Sequence, residues 1–164
     1  MASEEKGING HPSGLMTERA VEEMRRGRAI QLVDGKRCWL MAAMETMESP
    51  LLDRLKKVNG GDIRLLITPQ RATAAALTEE STDPVSISFP KGIDLEALRS
   101  LAGVGPQVPI KKTTLAVEVS TNAASVGAGF RLAKLGRLLP ALISVRSTEV
   151  SSPGLVSISV EDID

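Results

Sequence analysis

The stretch from Ala29 to Glu45, AIQLVDGKRCWLMAAME, constrains the fold more than any other part of this chain. Two largely apolar runs, Ile30–Val33 and Cys38–Met44, are joined across Asp34-Gly35. Asp-Gly between apolar runs is a strong hairpin signal, because both residue types tolerate the backbone of a tight turn. The second run is apolar at every position, which predicts a strand buried on both faces. A hairpin this tight leaves little loop for catalytic acids, and the rest of the chain offers no obvious set of them.

The core must be built almost without rings. Of 164 residues, 42% are hydrophobic but only 2% aromatic: Trp39, Phe89 and Phe130, with no Tyr. Leu, Ile, Val, Ala and Met therefore carry the burial, and the length suffices for one self-sufficient core. Scarce rings argue against base-stacking surfaces. With 20 acids against 20 bases, no net field steers a polyanion to the chain.

Cys38 is the only cysteine, which excludes an internal disulfide and any multi-cysteine metal site. It opens an apolar strand and reads as a small buried hydrophobe rather than a nucleophile. His11, the only histidine, excludes a multi-histidine metal site within one chain. Residues 1–16 read as a polar, flexible leader without the apolar core of a signal peptide, and 17–164 as a single domain. No run approaches the roughly 18 apolar residues of a membrane span. The expectation is a cytoplasmic protein that binds neither nucleic acid nor membrane.

Short helices and strands alternate along the chain, giving an α+β class with helices packed on a mixed sheet. Thr17 is expected to cap a helix to about Arg26, with Ala20, Val21 and Met24 inward. Ser49-Pro50 and Thr68-Pro69 each place a hydroxyl cap before a proline suited to the first helical turn. Val85, Ile87 and Phe89 alternate with Ser86 and Ser88, predicting a strand with one wet face. Asp94 caps a helix with Leu95, Leu98 and Leu101 inward, and Leu115–Val119 alternates as another strand. The glycines of SVGAG are expected to form a turn ahead of a helix whose inner face is Leu132, Leu135 and Leu139. Leu142–Val145 and Leu155–Val160 read as two further strands.

The chemistry-bearing candidates are few. Ser125, Gly127, Gly129 and Arg131 form a possible phosphate site, where amides at a helix start and nearby cations hold an anion. The competing reading is a flexible turn before a solvated basic face, since a lone G-x-G carries little information. Asp34, Glu45 and Glu48 are scattered carboxylates without a histidine beside them. Arg25, Arg26 and Arg28, and Lys56-Lys57, lie at helix ends where cations complement the macrodipole. Glu161, Asp162 and Asp164 read as solvated acids, and Met41, Met44 and Met47 as core or interface filler. No metal site and no cofactor are expected.

The order of elements resembles a known family. The stretch ERAVEEMRRGRAIQLVDGKRCWLMAAMETMESPLLDRL resembles the N-terminal part of 3,4-dihydroxy-2-butanone 4-phosphate synthase, with Ala20, Gly27, Arg28, Ala42, Ala43 and Glu45 at matching places. TTLAVEVSTNAASVGAGFRLAKLGRLLP is similar to that family's strand, "T-x-G-I-S" turn and helix. The likeness is nearer still to the synthase-like segment that precedes GTP cyclohydrolase II in some bacterial proteins. It implies a synthase-like fold, a homodimer, and a covalently linked GTP cyclohydrolase II domain as the natural partner. Active synthases also carry an acid-rich loop between the first two strands and an R-x-G-H-T-E-A run. Here the loop has shrunk to Asp34-Gly35-Lys36-Arg37 and the histidine run has no counterpart. The resemblance therefore implies a degenerate site and carries over no catalytic residue; the alternative it leaves is a residual Mg²⁺-dependent sugar-phosphate lyase using Asp34, Glu45 and Glu48.

Overall fold

The structure, a computed structural model, describes residues 12–58, 62–79, 82–148 and 153–163. His11, Asn59-Gly60-Gly61 and Asp164 lie outside them. Seven strands form one mixed sheet in the spatial order β5-β4-β3-β6-β2-β1-β7. These are β1 Ile30–Asp34, β2 Arg37–Ala43, β3 Ile63–Ile67, β4 Val85–Ser88, β5 Ala116–Val119, β6 Ala141–Ser147 and β7 Ser157–Ser159. The α-helices are α1 Pro12–Arg25, α2 Ser49–Leu55, α3 Pro69–Ala74, α4 Leu95–Ala102 and α5 Ala123–Leu135. All pairings are antiparallel except β1 with β7, which is parallel.

Strand alternation divides the interior into two cores, one on each face of the sheet. On the first face Ile63, Leu65 and Ile67 of β3 join Ile143 and Val145 of β6 beneath α2, α3 and α4. On the second face Trp39, Met41 and Ala43 of β2 join Ile30 and Leu32 of β1 beneath α1 and α5. β2 feeds both cores, sending Ala42 one way and its neighbours Met41 and Ala43 the other. Its unbroken apolar run is explained by that position inside the sheet. Met44 and Met47 pack into the first core and Met41 into the second, and Cys38 is buried.

The hairpin turns one residue later than the sequence suggests. Asp34 pairs directly with Arg37, leaving Gly35 and Lys36 as the two-residue loop. Gly35 takes φ +60°, which a residue with a Cβ adopts only under strain. α1 starts at Pro12 rather than at Thr17, so it takes in residues 12–16 read from sequence as leader. The Thr17 hydroxyl instead donates to the carbonyl of Asp162 at 3.2 Å. In α2 the cap is Glu48, not Ser49, which falls at the first helical position. Thr68 and Asp94 cap as expected: their side chains accept from the amides of Arg71 and Ala97 at 3.1 and 2.8 Å.

α5 departs most from expectation. It begins at Ala123, so Gly127 and Gly129 lie within the helix rather than in a turn before it. Gly129 is there for contact: a Cβ added to it would lie 2.7 Å from Leu142 and 2.8 Å from Met41, so the helix packs directly on the sheet. Leu132 is buried as expected, but Leu135 and Leu139 are exposed. The helix turns Val126, Phe130 and Ala133 inward instead. Among the described residues no helix is long and apolar enough to cross a membrane.

Candidate functional site

The second face of the sheet is only half covered. α1 and α5 lie over its β7–β6 side, and towards β5 the same face turns polar. Neighbouring rungs show the change. Met41, Ser144, Arg64 and Ser88 stand opposite one another across β2, β6, β3 and β4. The next rung runs Ala43, Leu142, Leu66, Ser86 and Glu118. Of these, Met41, Ser144, Arg64, Leu66, Ser86 and Glu118 line a cleft of about 280 Å³, closed on one side by Ser120, Thr121, Asn122 and Ser125 at the start of α5.

The polar groups of the cleft are unequally satisfied. Ser86 and Ser144 are 6% and 4% exposed, and neither hydroxyl has a hydrogen-bond partner among the described residues. Both line the cleft, so the cleft alone is where their hydrogen bonds can go. In Val85–Ser88 the structure thus buries Ser86 and leaves Ser88 half-buried, where the sequence predicts a wet face. Arg64 is heavily engaged. Its Nε and Nη2 donate to Asp62 at 3.4 and 3.5 Å, and its Nη1 donates to Glu118 on the edge strand. Partial burial works against the guanidinium's charge, but these hydrogen bonds and the two carboxylate charges prevail and raise its pKa. Arg146, opposite Trp39 on β6, is exposed and has no partner among the described residues.

The hairpin tip fixes the helix start that borders the cleft. Arg37 Nη1 donates to Asn122 Oδ1 at 3.1 Å, and Ser125 Oγ donates to Asp34 Oδ2 at 3.3 Å. Asp34 and Arg37 also face each other across the hairpin, so one cross-strand pair holds the first turn of α5 at two points. The amides at that turn have no helical carbonyl behind them and carry the positive end of the helix dipole.

Of the four phosphate candidates only Ser125 reaches the cleft. Gly129 faces the sheet, Gly127 faces open space, and Arg131 Nη1 donates to the carbonyl of Ile163 at 3.2 Å. At roughly 100° per helical residue these positions cannot converge on one ligand. The three scattered carboxylates do not meet either. Asp34 lies at the tip of the hairpin and Glu45 beyond the far end of β2, where it accepts from the amide of Leu139. Seven strand residues separate those ends, which is about 20 Å. Glu48 caps α2. Among the described residues no group of three or more His, Cys, Asp or Glu could hold a metal, and Glu161 and Asp162 belong to no such group.

Sequence reasoning missed Arg64, Ser86, Ser144, Arg146 and Asn122. Part of the signal was present in the alternation of Ser86 and Ser88 in VSIS and of Ser144 and Arg146 in LISVRS, whereas Arg64 is the lone polar residue of IRLLI. Only the strand order shows that those positions share one face.

No family model matches the chain. In sequence it is 30% identical over 141 residues to a GTP cyclohydrolase-2 of Azospirillum brasilense, a match covering 80% of this chain. The chain spans only 35% of the length of that curated relative. In structure it is similar to a 3,4-dihydroxy-2-butanone 4-phosphate synthase in its cation-free form, with TM-score 0.62 and 15% identity over 88% of this chain and 93% of the other. It is likewise similar to RibBX, a two-domain 3,4-dihydroxy-2-butanone 4-phosphate synthase from A. baumannii. That match has TM-score 0.64 and 14% identity over 89% of this chain and 56% of the other.

Proposed function

We propose that this chain, which has the fold of 3,4-dihydroxy-2-butanone 4-phosphate synthase and is similar in sequence to a segment of a GTP cyclohydrolase-2, serves riboflavin synthesis without performing the synthase reaction. In this reading it is a non-catalytic part of a cytoplasmic GTP cyclohydrolase II-type protein and pairs with a second copy of itself. The observation that carries it is the β1–β2 turn: Gly35 and Lys36 alone join the strands where the family resemblance implies an acid-rich loop. Rearranging a sugar phosphate needs a hard cation held by oxygen ligands and a positioned acid–base pair. The described side chains do not fit such a cation, since Asp34 and Glu45 stand at opposite ends of the hairpin.

The purified chain is expected to release no formate from ribulose 5-phosphate and Mg²⁺ above the protein-free rate. Formate release that scales with protein concentration overturns the reading. Light scattering is expected to give the mass of a dimer; monomer alone at high concentration removes the structural role.

A second reading, a phosphate-ligand binding module, is favoured by one observation: the two buried, unpartnered serines that open only into the cleft. Titration with ribulose 5-phosphate is then expected to move the amide resonances of Asn122 to Ser125. Unmoved resonances there would dismiss it.

A further inference from the structure

The cations of the cleft differ in availability. Arg146 is unpartnered among the described residues, whereas Arg64 is held by Asp62 and Glu118. The Arg64 side chain is 35% exposed, its two acids 66% and 62%. The carboxylates therefore sit outside the guanidinium, and an anion approaching Arg64 meets their charge first. Glu118 belongs to β5, the sheet edge, where all four residues are exposed. It can swing into water without leaving a buried charge behind. Exposed ion pairs are weak, while a phosphate group engages a guanidinium through two parallel hydrogen bonds.

We propose that Glu118 is an internal competitor for an anionic ligand of this cleft: it occupies Arg64 in the free protein, and an entering phosphate group displaces it. The inference rests on the second reading above, that the cleft binds a phosphate group. Arg64 and Ser144 face each other across β3 and β6, and Ser86 stands beside Glu118 on β4. Displacing Glu118 thus frees Nη1 of Arg64 beside the two hydroxyls that lack partners, while Nε and Nη2 stay on Asp62. The ligand gains Arg64 only by giving up part of its binding energy to the exchange, so the native site is weak by construction.

The test is a titration of the ¹⁵N-labelled chain with inorganic phosphate at constant ionic strength, following the amides of Asn122 to Ser125. Glu118→Gln keeps the shape and removes the charge, and is expected to tighten phosphate binding at least about fivefold. Glu96→Gln, in the first turn of α4 on the other face of the sheet, is expected to leave the affinity unchanged. In an Arg64→Gln background the gain from Glu118→Gln is expected to vanish, because there is no guanidinium left to compete for. Wild-type binding with no gain in Glu118→Gln overturns the competitor and leaves the cleft reading standing. A gain that survives in the Arg64→Gln background, or appears equally in Glu96→Gln, reports general repulsion and also overturns it. No phosphate response in any variant removes the inference and the cleft reading together.

Discussion

The two faces of this sheet are made by the same strands and do opposite things. On the first face Ala42, Ile143, Leu65 and Ile87 form an unbroken apolar rung beneath α2, α3 and α4. One residue along, on the second face, the rung reads Met41, Ser144, Arg64, Ser88. A two-residue period lets one short segment such as IRLLI contribute to a core and to a polar cleft at once. The comparison separates stability from binding by face rather than by segment. Leu65→Ala tests the core side. Leu65 is fully buried between Ile87 and Ile143, so truncation is expected to cost about 2–5 kcal/mol in chemical denaturation. A loss under about 1 kcal/mol would mean that the first face is not the principal core.

The boundary between the covered and open halves of the second face runs along α5. Gly129 sets how closely that helix approaches Met41 and Leu142, both fully buried or nearly so. Gly129→Val is expected to destabilise the chain by about 1–3 kcal/mol through overpacking, more than the helix gains from losing a glycine. It should also displace Asn122 and Ser125 and blunt any phosphate response at those amides. An unchanged denaturation midpoint would mean that Met41 and Leu142 repack freely, and that α5 does not rely on this contact.

Much of this architecture is legible from residues alone. Period and turn chemistry locate the hairpin and most of the strands, because apolar alternation and Asp-Gly act locally. Thr68 and Asp94 are recoverable for the same reason, each being a polar cap bonded three residues ahead. The failures are non-local. The glycines of SVGAG suggest a turn because glycine weakens helices, but packing of α5 on Met41 and Leu142 requires a small residue at 129 and overrides that preference. Ser86 and Ser144 lie 58 positions apart by number, on strands not even adjacent in the sheet, with β3 between them. No local pattern brings them together. The hairpin turn sits one residue later, with Asp34 in register opposite Arg37, and both side chains reach forward to the distant start of α5, a contact no local pattern signals.

Caps give an intermediate test that touches neither rung. Asp94 accepts from the Ala97 amide at 2.8 Å, and Asp94→Ala is expected to cost about 1 kcal/mol while leaving phosphate titrations unaltered. A cleft response to this change would show that α4, on the first face, is coupled across the sheet, and the separation by face would fail.

Ser144→Ala is the smallest expected effect on folding and the sharpest test of the comparison. Ser144 is as buried as many core residues, at 4% exposed, so burial alone predicts a noticeable loss. Its hydroxyl, however, has no partner among the described residues and looks into the cleft, so removing it breaks no protein hydrogen bond. The expected change in stability is within about 0.5 kcal/mol, because the hydroxyl opens onto the cleft and no protein hydrogen bond is lost. Phosphate affinity should fall in the same variant. A stability loss above about 1 kcal/mol with unchanged phosphate binding would place Ser144 in the core after all, and the polar half of this face would be structural.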